Sequence, residues 1–126
     1  MNITGGKKKV FVLDDDLSVL RALKRLLESK RFDVEIFAST DEFMRLWSPT
    51  EKGCLVLDIY LAGKSGIEFY QQLLDAGHSI PVIFITAHDD QWIREAVSKI
   101  EGAGFLKKPF NELTFFVAIQ KAMSQS

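Results

Sequence analysis

Five short apolar runs separated by amphipathic stretches constrain this chain more than any other feature: "VFVL" at 10–13, "FDVEIF" at 32–37, "CLVLD" at 54–58, "PVIFIT" at 81–86 and "AGFLK" at 103–107. Four of them lack clear polar alternation, as strands buried on both faces of a parallel sheet do. "FDVEIF" does alternate, which suits an edge strand. Between the runs lie helical patterns. In "LSVLRALKRLLESK" Leu20, Leu23 and Leu27 share one face with Val19 and Leu26 beside them, and Lys and Arg fill the other. A second helix opens at Ser39-Thr40-Asp41-Glu42 and a third at Ser65-Gly66-Ile67-Glu68. Both fit a capping box, in which Ser accepts from an amide three residues on while Glu reaches back. Gly77 supplies a left-handed stop to the third helix. A fourth starts near Asp89 or Asp90 and runs through Ile93, Val97 and Ile100, and Asn111 caps a fifth that reaches about Met123. Strand followed by helix, repeated five times, implies right-handed crossovers and a parallel sheet covered on both faces.

At 126 residues there is room for one such domain and no second. We read residues 1–9 as a solvated leader that carries Lys7, Lys8 and Lys9, 10–124 as the domain, and 125–126 as a tail or the start of a linker. With 47% hydrophobic and 26% charged residues the balance is that of a soluble globular protein. A net charge of −1 gives no electrostatic footprint for nucleic acid. No apolar run approaches bilayer-spanning length and "MNITGGKKK" lacks the apolar segment of a secretory signal, so a cytoplasmic protein without membrane contact is expected. Cys54, the single cysteine, sits inside an apolar run and reads as a buried small hydrophobe.

In parallel sheets ligands gather at the carboxyl ends of the strands. Those ends carry Asp14-Asp15-Asp16, Asp58, Thr86 and Lys107-Lys108 before Pro109. Several carboxylates in one partly desolvated crevice repel each other unless a cation neutralises them. With oxygen ligands and no His or Cys cluster, Mg²⁺ is the expected ion. Gly63-Lys64-Ser65 suggests a nucleotide-binding P-loop, but the glycine that such a loop needs five positions earlier is Asp58, and that reading fails. Lys64 is then a solvated loop residue and Ser65 a helix cap. A second phosphate chemistry is suggested by Asp14-Asp15-Asp16-Leu17-Ser18, which resembles the nucleophile loop of haloacid-dehalogenase phosphatases, with Asp14 as nucleophile and Thr86 and Lys108 in later roles. The final acidic motif of that family has no counterpart after Lys108, the chain is short for that fold, and Asp58 is left unemployed.

From Val10 to about Met123 the sequence resembles a response-regulator receiver domain, carried by "VLDDD", "LDIYLAGKSG", "VIFITAH" and "FLKKPF" in order and at fitting spacings. Ala62 stands where that family usually has proline, and Arg31 takes a turn position commonly held by glycine. The resemblance implies a flavodoxin-like (βα)5 fold, doubly wound, with a five-stranded parallel sheet in the order 2-1-3-4-5. It implies that Asp58 takes a phosphoryl group from the histidine of a partner sensor histidine kinase. Asp15, Asp58 and the backbone carbonyl of Tyr60 would hold Mg²⁺, or Mn²⁺ in its place, with Asp14 helping directly or through water, and Asp16 capping the first helix. Lys108 would neutralise phosphoryl oxygens, Lys107 would face away, and Lys108-Pro109 would be cis. Thr86 would donate its hydroxyl to the phosphate, beside the small Ala87, and Phe105 would follow it as the switch aromatic. Tyr60 and His88 would flank the acceptor and set water access. Such a protein is a signalling switch that catalyses only its own phosphorylation and dephosphorylation.

The fifth helix adds a hint about output. Phe115, Ala118, Ile119 and Ala122 form a core stripe, and Leu113, Phe116 and Val117 form a second stripe turned away from it. With Trp92 this predicts a face on helix four, strand five and helix five for a phosphorylation-dependent homodimer. The partner downstream would be an output domain or target protein, and receivers with these motifs are common in transcription factors with a helix-turn-helix effector.

Overall fold

The computed structural model describes residues 8–88 and 90–125. Residues 1–7 of the expected leader, Asp89 as a start for the fourth helix, and Ser126 of the expected tail lie outside the described residues. In chain order the elements are β1 (Lys9–Leu13), α1 (Leu17–Ser29), β2 (Asp33–Phe37), α2 (Thr40–Leu46), β3 (Gly53–Asp58), β4 (Tyr60–Leu61), β5 (Lys64–Ser65), α3 (Gly66–Asp75), β6 (Val82–Thr86), α4 (Gln91–Ser98), β7 (Gly104–Lys107) and α5 (Glu112–Met123). The main sheet is parallel, in the order β2-β1-β3-β6-β7. That is the expected 2-1-3-4-5 order of a flavodoxin-like fold, renumbered because β4 and β5 form a separate antiparallel ribbon.

All six residues of β3 are buried, as a continuous apolar run predicts. The alternating run forms β2, at the edge, where it pairs only with β1. Side chains of β1 divide by parity. Phe11 and Leu13 join Leu55, Leu57 and Phe84 in a core with Phe43, Phe69, Ile93 and Val97 from α2, α3 and α4. Val10 and Val12 join Cys54, Val56, Ile83 and Ile85 in a second core under α1 and α5. Two apolar layers thus clamp the sheet, and its carboxyl-end rim stays free for polar residues.

Several local expectations are corrected. At the start of α2, Ser39 Oγ accepts from the Glu42 amide, but Glu42 reaches past the cap to the Ala38 amide. At the start of α3, Ser65 Oγ accepts from Ile67, two residues on and not three. Helix α4 stops at Ser98, so Ile100 packs from the following turn. On α5, Phe116 is not free: it stacks on Phe32, with the Lys30 ammonium over its ring, and only Leu113 and Val117 of the second stripe stand exposed. Gly77 and Arg31 both take positive φ, at 88° and 66°. Arg31 therefore carries the strain of a left-handed non-glycine residue.

Cys54 is fully buried and burial pushes its thiol up to about 12. At pH 8 only roughly one thiol in 10⁴ is then thiolate, so a disulfide reagent reacts at least ~10³-fold more slowly with native than with guanidinium-unfolded protein. Rapid native labelling would place this cysteine elsewhere.

Candidate functional site

Registry along the sheet gathers the polar strand ends. Leu13 pairs with Leu57, Asp58 with Ile85 and Thr86 with Lys107, so Asp14, Asp58, Thr86 and Lys108 leave the same rim. Strands β1 and β3 flank the point where the chain changes direction in the sheet, the usual location of a ligand crevice. Asp14 is 1% exposed, Asp58 6% and Thr86 0%, and these are the only buried polar or charged side chains among the described residues.

Asp14 is held at both oxygens: Oδ1 accepts the Asp16 amide at 3.0 Å and Oδ2 the Lys108 ammonium at 3.1 Å. That ammonium also lies 3.8 Å from Asp58 Oδ1. Asp15 is exposed, and its Oδ2 accepts the Ala62 amide at 2.9 Å. Asp16 caps α1 through the Ser18 and Val19 amides and the Ser18 hydroxyl, which with the nearby Lys108 charge holds its carboxyl below the usual range. Burial, followed by the charge of Asp14, pushes the Asp58 carboxyl up to about 6, against the pull of Lys108 and the Tyr60 amide.

One carboxylate oxygen from each of Asp14, Asp15 and Asp58 lies within 4.8 Å of the others. Three carboxylates face one ammonium there, so the ionised cluster carries two uncompensated negative charges, and a divalent cation with oxygen ligands fits it.

Thr86 Oγ1 accepts the His88 amide at 3.0 Å, and the Thr86 carbonyl accepts the Lys108 amide at 2.7 Å. The Lys108-Pro109 peptide is cis. Lys107 is exposed and Lys108 half-buried at the cluster. Phe105 is half-buried against the core under α4. The Tyr60 ring lies 4.5 Å from that of His88 and edge-on to Trp92, and its hydroxyl donates to Asp90 at 3.1 Å. Asp90 precedes α4 but makes no side-chain cap bond to it. Trp92 is 52% exposed. Lys64 bonds Gln72 away from the cluster.

Three contributors were not legible in sequence. The Ala62 and Asp16 amides act through the backbone, which no residue letter announces. Gly66 was read only as part of a cap, yet a Cβ there would lie 2.2 Å from the Asp58 carbonyl oxygen. A glycine at the first position of a helix, where it is a poor former, was the available signal. The dehalogenase reading gains no support, because its nucleophile Asp14 has both oxygens engaged in a buried position.

The arrangement has close relatives. The response regulator receiver domain family matches residues 10–120. Response regulator protein TodT of Pseudomonas putida is 36% identical over 114 residues, covering 90% of this chain and 50% of that protein. A receiver protein structure from Burkholderia phymatum superposes with a TM-score of 0.80 at 39% identity, covering 94% of this chain and 96% of that one. FixJ-N superposes at 0.85 with 29% identity, covering 94% and 95%. The chain spans about half the length of curated relatives such as TodT. A sheet of this order, acidic and basic groups at its rim, and a family match over nearly the whole length agree: the chain belongs to the response regulator receiver domains of two-component signalling.

Proposed function

We propose that Asp58 accepts a phosphoryl group from the histidine of a partner sensor kinase, and that the resulting aspartyl phosphate switches the face formed by α4, β7 and α5. The observation that carries this reading is the meeting of Asp58 with two further carboxylates and the Lys108 ammonium at one rim of the sheet. Asp58 Oδ attacks phosphorus, the bond from phosphorus to the kinase imidazole nitrogen breaks, and that nitrogen keeps the electron pair and takes a proton. Such a transfer passes through a loose transition state, so alignment and charge neutralisation are most of what a protein must provide. Lys108 faces the oxygens that gain charge. Thr86 donates its hydroxyl to the bound phosphoryl group. Asp14, Asp15, Asp58 and the Tyr60 carbonyl would hold Mg²⁺, or Mn²⁺, which supplies Lewis-acid neutralisation of the phosphoryl oxygens.

Contacts that exist only in the phosphorylated arrangement favour it, and those common to both states shift nothing. In our reading Thr86 gives up the His88 amide to reach the phosphate, and Phe105 turns into the space it leaves. Tyr60 and His88 shield the acyl phosphate from water. Exposed Trp92, Leu113 and Val117 suit a phosphorylation-dependent homodimer. A beryllofluoride-treated form that stays monomeric at high concentration would remove that part. The proposed setting is the cytoplasm, and no described helix is long and apolar enough to cross a membrane. Residues 10–124 form the receiver unit, acting on an output domain or target protein and through it on transcription, without direct nucleic-acid contact by this unit. Its only catalysis is of its own phosphorylation and dephosphorylation.

Incubation of wild type, Asp58→Ala and Asp14→Ala with acetyl phosphate and Mg²⁺, followed by intact mass, tests the assignment. A single hydroxylamine-sensitive phosphoryl adduct is expected on wild type and none on Asp58→Ala. An adduct, or turnover of phosphomonoesters, that survives Asp58→Ala would transfer the chemistry to Asp14.

A further inference from the structure

We infer that the backbone amide of Ala62 positions Asp15 for the cation, so that the identity of residue 62 sets the affinity of the site through a hydrogen bond and not through a side chain. This rests on the reading of Asp14, Asp15 and Asp58 as the cation cluster. Of these three, Asp15 alone is exposed, and an exposed carboxylate on a loop samples several rotamers. The Ala62 amide donates to Asp15 Oδ2 at 2.9 Å across a sequence separation of 47 residues, joining the loop after β1 to the ribbon after β3. A carboxylate that accepts one amide keeps its other oxygen for a metal. Donors of this kind to ligating carboxylates commonly govern metal affinity.

The ribbon makes this amide available. Tyr60 pairs with Ser65 and Leu61 with Lys64, leaving Ala62 and Gly63 as the turn. In a four-residue turn the amide of the second residue is not used by the turn itself. Gly63 has φ 76°, while Ala62 is not among the residues of positive φ. That pattern suits a type II turn, whose first central position favours proline. Leu61 before it lies in extended β4, as a residue preceding proline must. Ala62→Pro is therefore compatible with the backbone, removes one N–H and stiffens the loop. Ala62→Gly keeps the N–H and loosens the loop. The two substitutions separate the hydrogen bond from rigidity.

Calorimetric titration of the full chain with Mg²⁺, and separately with Mn²⁺, measures the effect on wild type, Ala62→Pro, Ala62→Gly and Asp58→Ala. Ala62→Pro is expected to bind about 5- to 10-fold more weakly with a melting temperature close to wild type, and Ala62→Gly within about twofold of wild type. In metal-free protein the Ala62 amide is expected to exchange with solvent several-fold faster in Asp15→Ala than in wild type. Ala62→Pro binding as tightly as wild type, or Ala62→Gly losing as much affinity as Ala62→Pro, would overturn the inference. A wild type that binds neither ion, or an Asp58→Ala variant that binds unchanged, would overturn the reading of the site and the inference with it.

Discussion

Without divalent cation, Asp58→Asn stabilises the protein at pH 7 by about 2–3 kcal/mol, although it removes the proposed phosphoryl acceptor. The carboxyl of Asp58 titrates at about 6 in the folded protein against 3.8 for the ordinary group, because burial and the charge of Asp14 disfavour its ionised form. Between those values the folded state holds a proton that the unfolded state has released, so native stability falls as pH rises from about 4 to about 6. Above that window the full difference of about two units applies, at about 1.4 kcal/mol each. Asparagine has nearly the same shape and no charge to desolvate. The stability gap is therefore near zero at pH 4 and widest at pH 7, as read by urea unfolding in EDTA. Saturating Mg²⁺ narrows it, since a ligand that binds only the folded wild type stabilises it by mass action. A variant less stable than wild type at pH 7 in EDTA, or a gap that does not change between pH 4 and 7, would contradict the electrostatic account of the crevice.

The same physics explains which parts of the site were legible in sequence. Asp14, Asp58, Thr86 and Lys108 stand at the ends of apolar runs, where a parallel sheet leaves polar side chains no other use. The order of runs and helices was equally plain, since each strand of the main sheet is four residues or longer and α1, α2, α3 and α5 each open at a side-chain cap. The ribbon of Tyr60–Leu61 and Lys64–Ser65 was not, because two residues per strand establish no period. The proposed output face was half legible. Helical spacing separates Leu113, Phe116 and Val117 from the core stripe, but spacing within α5 carries no information about Phe32 on the chain beside β2, which takes up Phe116. Capping boxes failed in detail for a related reason: Ser and Glu at the right interval state which side chains are available, not which amide each reaches.

Asp58 is also held in place by a residue with no side chain, and Gly66→Ala is expected to cost both fold and site. Inside or at the start of a helix, alanine is ordinarily about 1 kcal/mol better than glycine. Here the sign reverses. A Cβ on Gly66 would lie 2.2 Å from the Asp58 carbonyl oxygen and 3.1 Å from both the Asp58 carbonyl carbon and the Ile59 Cα. All three are backbone atoms in a buried segment, so no side chain can turn aside. The Gly66 amide also donates to the Ile59 carbonyl at 2.7 Å, which pins α3 against the loop leaving β3. Relief requires α3 and that loop to separate, which loosens the bond and shifts Asp58 relative to Lys108. A loss of about 3 kcal/mol is expected, at the upper end for overpacked sites. Gly63→Ala is the comparison: it has φ 76° but nothing within 4 Å of its Cβ, so it bears only the left-handed backbone cost of about 1 kcal/mol. Urea unfolding of the two variants, with the rate of acetyl-phosphate labelling measured alongside, should place Gly66→Ala well below Gly63→Ala in both stability and labelling rate. Equal stabilities would mean that α3 moves away from the loop after β3 at little cost, and that the close approach of Gly66 does not hold Asp58 in place.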